Sequence, residues 1–242
     1  KATKFGDLQT TIKRDDPMRL DKWLAQHGEF SRSEATKAIR RKKVTLDGVV
    51  CNSPKSKVLD AAEVHLDGVL IERAPVLLAF HKPVGLVTTV SDPRGRPCVG
   101  DWLPHRYHIV GRLDLETHGL LLFSRDGSLT KHFLHTKRRF EREYVVKVEG
   151  APSFDLIQRL ANGIETSVGL AKAHVVSINA DVVRLIVTEG RNRVVRRMLH
   201  NAGHSVLDLE RVRYGLVELG TLVVGQTRPL TDVEMGMFSS LG

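Results

Sequence analysis

The chain has 242 residues, 41% hydrophobic and 27% charged, the composition of a soluble globular protein with room for one large domain or two unequal ones. Lys and Arg number 37 against 28 Asp and Glu, a net charge of +9, and no apolar run approaches the roughly 20 residues of a membrane-spanning helix. That balance suits a polyanionic partner, nucleic acid ahead of lipid, and two lone cysteines, Cys51 and Cys98, exclude a disulfide framework or a Cys-rich zinc module and fit a reducing compartment.

The first 17 residues have no sustained period and read as a flexible tail; because Lys1 rather than Met opens the chain, a processed or omitted natural N-terminus is expected. From Met18 the pattern sharpens. Leu20, Trp23, Leu24 and His27 recur at helical spacing, and Gly28 ends that helix. Ser31-Arg32-Ser33-Glu34 reads as a capping box for a second helix. On that helix Ala35, Ala38 and Ile39 share one face, and Ser33, Lys37, Arg40 and Arg41 form a basic stripe on another. Six basic residues lie between Ser31 and Lys43 against one acid, Glu34. Two phrases, Val44 to Val50 and Val64 to Leu70, each place Asp-Gly between short apolar runs, the signature of a tight hairpin. The segment Met18 to Gly68 resembles the S4 RNA-binding domain, two short helices followed by a small sheet. The resemblance implies a helical face that docks on folded RNA, with Arg19, Arg32, Ser33, Lys37, Arg40 and Arg41 as its contacts. The domain is expected over 18–70, with a linker over 71–75.

The remainder, 76–242, reads as short strands with a few helices, an α+β domain on a mainly antiparallel sheet. Strands are expected at Val76 to Phe80, Leu120 to Phe123, Glu143 to Val148 and Ser205 to Val212, and a hairpin at His174 to Ile178 with Val182 to Thr188. Phe154 to Ala161 and Arg193 to Ala202 read as helices. Two further basic clusters occur here, Lys137-Arg138-Arg139 with Arg142, and Arg191, Arg193, Arg196 and Arg197. Three clusters in one chain suggest a track for a phosphate backbone.

Nucleotide-hydrolase, serine-esterase and zincin motifs are absent from the sequence. Among the eleven histidines, His105/His108 and His132/His135 stand at i, i+3. No carboxylate or cysteine joins them at ligand spacing, so a structural or RNA-facing role is expected, and neither metal nor cofactor. Asp114 is the residue placed for chemistry. It lies on a loop between Gly111 and Gly119, beside Arg112 and ahead of a long apolar run. A carboxylate there serves as nucleophile or electrostatic stabiliser, or as a turn residue bonded to local N–H groups.

The segment GRLDLETHGLLLFSRDG, Gly111 to Gly127, closely resembles the catalytic motif of the RsuA family of ribosomal RNA pseudouridine synthases. HKPVG (His81 to Gly85), Arg142-Glu143-Tyr144 and EGRNRVVRRM (Glu189 to Met198) resemble its other motifs, in order. DPRGRPCVGDWLP (Asp92 to Pro104) and RVRYG (Arg211 to Gly215) also look familial. The resemblance implies Asp114 as catalytic carboxylate, Tyr144 as the active-site tyrosine that stacks and handles protons, and Arg196 as the basic partner of Asp114. It also implies RNA contacts by Arg112, Arg142, Arg191, Arg193 and Arg197. Three positions depart from the family's usual pattern: His81 for Asn, Arg142 for Lys and Val194 for Gln. The implied activity is site-specific conversion of uridine to pseudouridine in ribosomal RNA or a pre-ribosomal particle. It would be carried out by a monomer in the bacterial cytoplasm or, with a leader removed, in an organelle matrix. The competing reading is a non-catalytic ribosome-assembly factor that uses the same fold to bind RNA.

Overall fold

The computed structural model describes residues 17–59, 61–127, 130 and 140–239. The tail expected over 1–17, apart from Pro17, lies outside them, as do His132, His135 and Lys137 to Arg139. The chain divides into two compact units, one of residues up to Val76 together with those from Thr231, the other Leu77–Leu230.

In the first unit, β1 (Met18–Arg19) leads into α1 (Leu20–His27), and α2 (Arg32–Arg40) follows. The amide of Gly28 closes α1 on the Leu24 carbonyl at 2.8 Å. Both capping-box bonds of α2 are present: Glu34 N–H donates to the Ser31 hydroxyl, and Ser31 N–H donates to the Glu34 carboxylate. Strands β2 (Val44–Leu46), β3 (Val49–Cys51), β4 (Lys57–Val58), β5 (Val64–Leu66) and β6 (Val69–Leu70) follow, with β3-β2-β5-β6 forming one small sheet and β1 pairing with β4. At both hairpin tips Asp and Gly take positive φ, 51° and 78° at Asp47-Gly48 and 48° and 83° at Asp67-Gly68. That is the two-residue turn that suits strand twist. Trp23, Leu24, Ile39, Val44 and Val64 make the core of this unit. At roughly 1.5–3 kcal/mol for each large apolar side chain buried, so small a core depends on every one of them.

The second unit contains β7 (Leu77–Lys82), β8 (His108–Val110), β9 (His118–Ser124), β10 (Arg142–Val148), α3 (Asp155–Asn162), β11 (His174–Asn179), β12 (Val182–Val187), α4 (Val194–Asn201), β13 (Val206–Tyr214), β14 (Val217–Glu218) and β15 (Thr227–Pro229). Its sheet runs β11-β12-β10-β13-β9-β7-β15, with β14 beside β13 and β8 beside β9. Alternation places Tyr144, Val146 and Val148 of β10 and Val183, Leu185 and Val187 of β12 in the core, together with Leu156 and Leu160 of α3 and Val195, Met198 and Leu199 of α4.

The expected mainly antiparallel sheet has one parallel contact, where Glu210 and Arg211 of β13 meet His118 and Gly119 of β9. The closeness of that contact requires glycine. Gly119 has φ +99°, and a Cβ there would lie 2.4 Å from the Arg211 carbonyl oxygen. The span expected as one domain to residue 242 ends earlier. β15 ends at Pro229, one further bond runs from Leu230 N–H to the Leu77 carbonyl at 3.3 Å, and the helix α5 (Asp232–Ser239) groups with the first unit. Among the described residues no helix is long and apolar enough to cross a membrane.

Candidate active site

The loop between β8 and β9 carries Asp114, and its main chain is held at every peptide oxygen from 113 to 117. Thr88 Oγ1 donates to the Leu113 carbonyl at 2.5 Å, and Leu113 N–H donates back to the same hydroxyl at 3.3 Å. The Gly85 amide donates to the Leu115 carbonyl at 2.9 Å. Lys82 Nζ takes Asp114 O at 3.3 Å and Thr117 O at 2.9 Å, and its third bond goes to Pro83 O at 2.9 Å. Arg196 Nη2 donates to Glu116 O at 2.8 Å and reaches the Thr117 hydroxyl at 3.4 Å. Leu113, buried, anchors the loop in the core. The loop backbone is therefore immobilised by side chains from three other segments, and the half-buried Asp114 is presented on a rigid support.

Asp114 lines a cavity of about 550 Å³ together with Arg112, Thr117, Arg142, Tyr144 and Arg211. Val110, Gly111, Leu113, Leu209, Tyr214 and the segment Glu189 to Arg196 complete the wall. Tyr144 is buried on β10, opposite Arg211 of β13. Between Glu143 and Tyr144 the register on β13 slips, so that Glu143 faces Arg213 while Tyr144 faces Arg211. Val212 is the extra residue of this bulge, and it brings Arg211 and Tyr214, three apart and otherwise on opposite faces, to the same cavity. The Tyr214 ring has two guanidinium neighbours, Arg142 at 5.1 Å and Arg211 at 5.4 Å from its centroid. Buried Arg211 is also fixed by a 2.7 Å bond from Nε to the Leu120 carbonyl. On the reverse face of β10, Glu143 is clasped by Arg184 and Arg213. Burial raises its carboxyl pKa, and these two guanidinium groups outweigh that and hold it below the usual value.

Asp114, Tyr144 and Arg196 come together as the resemblance implies, but Arg196 does not form a direct ion pair with Asp114. Its described hydrogen bonds go to Glu116 O, the Thr117 hydroxyl and, at 3.5 Å, Val206 O. The main chain after Asp114 lies within reach of the guanidinium and engages its Nη2, while the buried Nε has no hydrogen-bond partner. Burial, then the neighbouring charge of Arg193, lower the Arg196 pKa, while Glu116 and Asp114 oppose this from nearby.

The basic residues expected to meet RNA fall into two groups. Arg19 and Arg32 both bind the buried Asp21 carboxylate, at 2.9 and 3.2 Å. Arg193, at φ +51° on the threshold of α4, pairs with Glu116 at 2.7 Å. Arg191 binds Glu189 and the carbonyls of Val168 and Leu170, and Arg197 binds Ser167 and Asn192. These last two guanidinium groups lace the loop before α4 to the turn over 166–170. Lys37 and Arg40 on α2 and Arg41 at its C-cap are exposed, as is Arg112 at the cavity, and none of the four has a described ion pair. Ser33 is exposed on α2, and half-buried Arg142 also bonds to the Phe140 carbonyl at 3.2 Å.

Sequence reading missed Lys82, Thr88, Arg211 and Tyr214 as site residues. The phrase RVRYG marked the last two as familial, and HKPVG contained Lys82, but only the loop and the bulge show what they do.

Comparison with known proteins gives the family. The sequence model of the RNA pseudouridylate synthase family matches residues 76–201, and that of the S4 domain matches 18–64. Ribosomal large subunit pseudouridine synthase B of Bacillus subtilis (strain 168) is 35% identical over 234 residues, covering 92% of this chain and 96% of its own. The protein of the same name from Yersinia pestis is 38% identical over 217 residues, 83% of this chain and 68% of its own. A crystal structure of a pseudouridylate synthase superposes with a TM-score of 0.62 at 28% identity, covering 91% of this chain and 99% of that one. The chain, an S4 domain followed in sequence by the domain that holds this cavity, thus belongs to the RNA pseudouridylate synthase family.

Proposed function

We propose that the protein converts one uridine of ribosomal RNA, in the large subunit or its precursor, to pseudouridine, acting as a monomer in the bacterial cytoplasm. The observation that carries the proposal is the Asp114 loop, bonded at each carbonyl from Leu113 to Thr117 and set in the wall of a cavity with room for a flipped base.

The isomerisation exchanges the C1′–N1 bond of uridine for a C1′–C5 bond. C5 loses its proton, N1 gains one, and no electrons are transferred, so the residues present suffice for the balance. Asp114 acts as the carboxylate that attacks or assists at the reacting centre, held in place by its fixed backbone. Tyr144 offers a flat face to the uracil and a phenol for proton handling at the base. Lys82 and Arg196 act as positioning residues through the loop main chain. Arg142 and Arg211, fixed against Tyr214, put positive charge in the wall that receives the nucleotide. Extruding the base costs a few kcal/mol, which phosphate contacts by Arg112 and the α2 stripe offset. The S4 unit, residues 18–70, supplies the α2 contacts and the second unit supplies Arg112; Arg19, Arg32, Arg191 and Arg197 shape the surfaces around them.

A pseudouridine map of ribosomal RNA from cells with and without the gene tests the proposal. One modified position should disappear from large-subunit RNA and return on complementation. An unchanged map of that RNA would overturn the assignment of substrate.

A further inference from the structure

On the reverse face of the three strands that carry the catalytic side, His81 of β7, His118 of β9 and Glu210 of β13 converge, with ligand atoms all within 4.8 Å of one another. We propose that they form a site for a divalent cation of the zinc class.

The hydrogen bonds fix which nitrogen of each imidazole is free. His81 Nδ1 lies 2.7 Å from the Leu222 carbonyl, an oxygen that can only accept, so Nδ1 carries the proton and Nε2 presents its lone pair. His118 Nε2 lies 3.1 Å from both Asp208 carboxylate oxygens, so it is the donor there and Nδ1 presents the lone pair. Both lone pairs face one oxygen, Glu210 Oε1, at 3.6 Å from His81 Nε2 and 3.7 Å from His118 Nδ1. In the neutral rings these lone pairs are repelled by the carboxylate unless a positive charge, a cation or an added proton, lies between them. His81 is 7% exposed, and its Nε2 is a buried nitrogen with no hydrogen-bond partner. Bonds of about 2.0–2.2 Å at tetrahedral angles separate neighbouring donors by about 3.3–3.5 Å, close to the two distances found. Asp208 and the Leu222 carbonyl hold the opposite ring nitrogens, as supporting partners of metal-bound histidines do.

His81 adjoins Lys82, His118 adjoins Thr117, and Glu210 adjoins Arg211. An ion here would tie β7, β9 and β13 together immediately behind Lys82, which clamps the Asp114 loop, and Arg211, which lines the cavity. The reaction itself is not routed through it; its effect is to stiffen the support. His118 and Glu210 remain partly exposed, which leaves a path for entry and a coordination position for water.

The test is titration of the full chain, freed of metal by a chelator and kept at neutral pH, with Co²⁺ followed by Zn²⁺. One Co²⁺ per chain is expected, with the visible absorption of a low-coordinate nitrogen/oxygen site that Zn²⁺ abolishes, and the thermal midpoint should rise with Zn²⁺. Asp208→Asn should weaken binding by roughly 10–100-fold, and His118→Ala or Glu210→Gln by more. His174→Ala, at an exposed histidine on β11, should leave it unchanged. Should either ligand variant fail to fold, the wild-type stoichiometry and Asp208→Asn still decide. Substoichiometric cobalt, or affinity indifferent to these substitutions, would overturn the site.

Discussion

Lys82 is fully buried, and its ammonium spends all three N–H groups on carbonyl oxygens, two of them in the Asp114 loop. Burial brings its pKa down to about 8, against the pull of Asp114 and Glu116. A neutral amine has only two N–H groups, so deprotonation leaves at least one of these oxygens without its donor. Activity should therefore decline as pH rises through about 8. Stability moves the other way. The unfolded chain keeps this proton to about 10.5, so between pH 8 and 10.5 it binds more protons than the fold, and the contribution of Lys82 to stability rises with pH. Turnover falling across this window while the lysine-dependent part of the thermal midpoint climbs would identify the group. Lys82→Met should remove the alkaline transition and lower kcat by ~100-fold through a displaced loop, with RNA affinity little changed. A kcat and pH profile equal to wild type would mean that the clamp does not matter. At this scale the sequence was legible wherever a residue acts locally. Asp114 stood out beside its glycines, but Lys82 acts on carbonyls that local spacing does not reveal. For Arg191 and Arg197 the sequence gives a charge but not its partners within the chain, Glu189, the carbonyls of Val168 and Leu170, Ser167 and Asn192.

Among the elements, the two Asp-Gly hairpins and the capped α2 were legible because every interaction that makes them lies within a few residues. The bulge at Val212 and the parallel contact of β9 with β13 were not, since both depend on strands that the chain brings together late. Gly119 belongs to this level. Gly119→Ala combines an unfavourable φ with a Cβ 2.4 Å from a backbone oxygen, and should cost at least about 1–3 kcal/mol. Because Arg211 lines the cavity from the displaced strand, activity should drop more than the fraction unfolded explains; denaturant melts and single-turnover rates on the same preparation measure both. The α2 stripe can be tested separately. Replacing Lys37, Arg40 and Arg41 together by Ala should weaken RNA binding and reduce the slope of log K against log salt by roughly 0.7–0.9 per lost contact. The target uridine and the rate at saturating RNA should be unchanged, since phosphate contacts position without reading sequence. An unaltered slope would count against the stripe as the docking element.

For the whole molecule, the net charge of +9 and the order of the motifs along the chain pointed to RNA and to uridine isomerisation, and the family match agrees. The direct ion pair of Arg196 with Asp114 was expected and is replaced by a hold on the loop main chain. The histidine cluster was invisible because its three members come from three strands, whereas ligand spacing in sequence detects only neighbours on one element. On the proposed function, one set of groups captures RNA and another carries out the chemistry. The most direct measurement of that division is single turnover and RNA affinity of Asp114→Asn, which keeps the side-chain volume and removes the charge. Pseudouridine formation should fall by more than ~10³-fold while the dissociation constant for RNA stays within about twofold of wild type. Turnover at the wild-type rate would contradict Asp114 as the catalytic carboxylate, and loss of RNA binding along with activity would make it a structural residue instead.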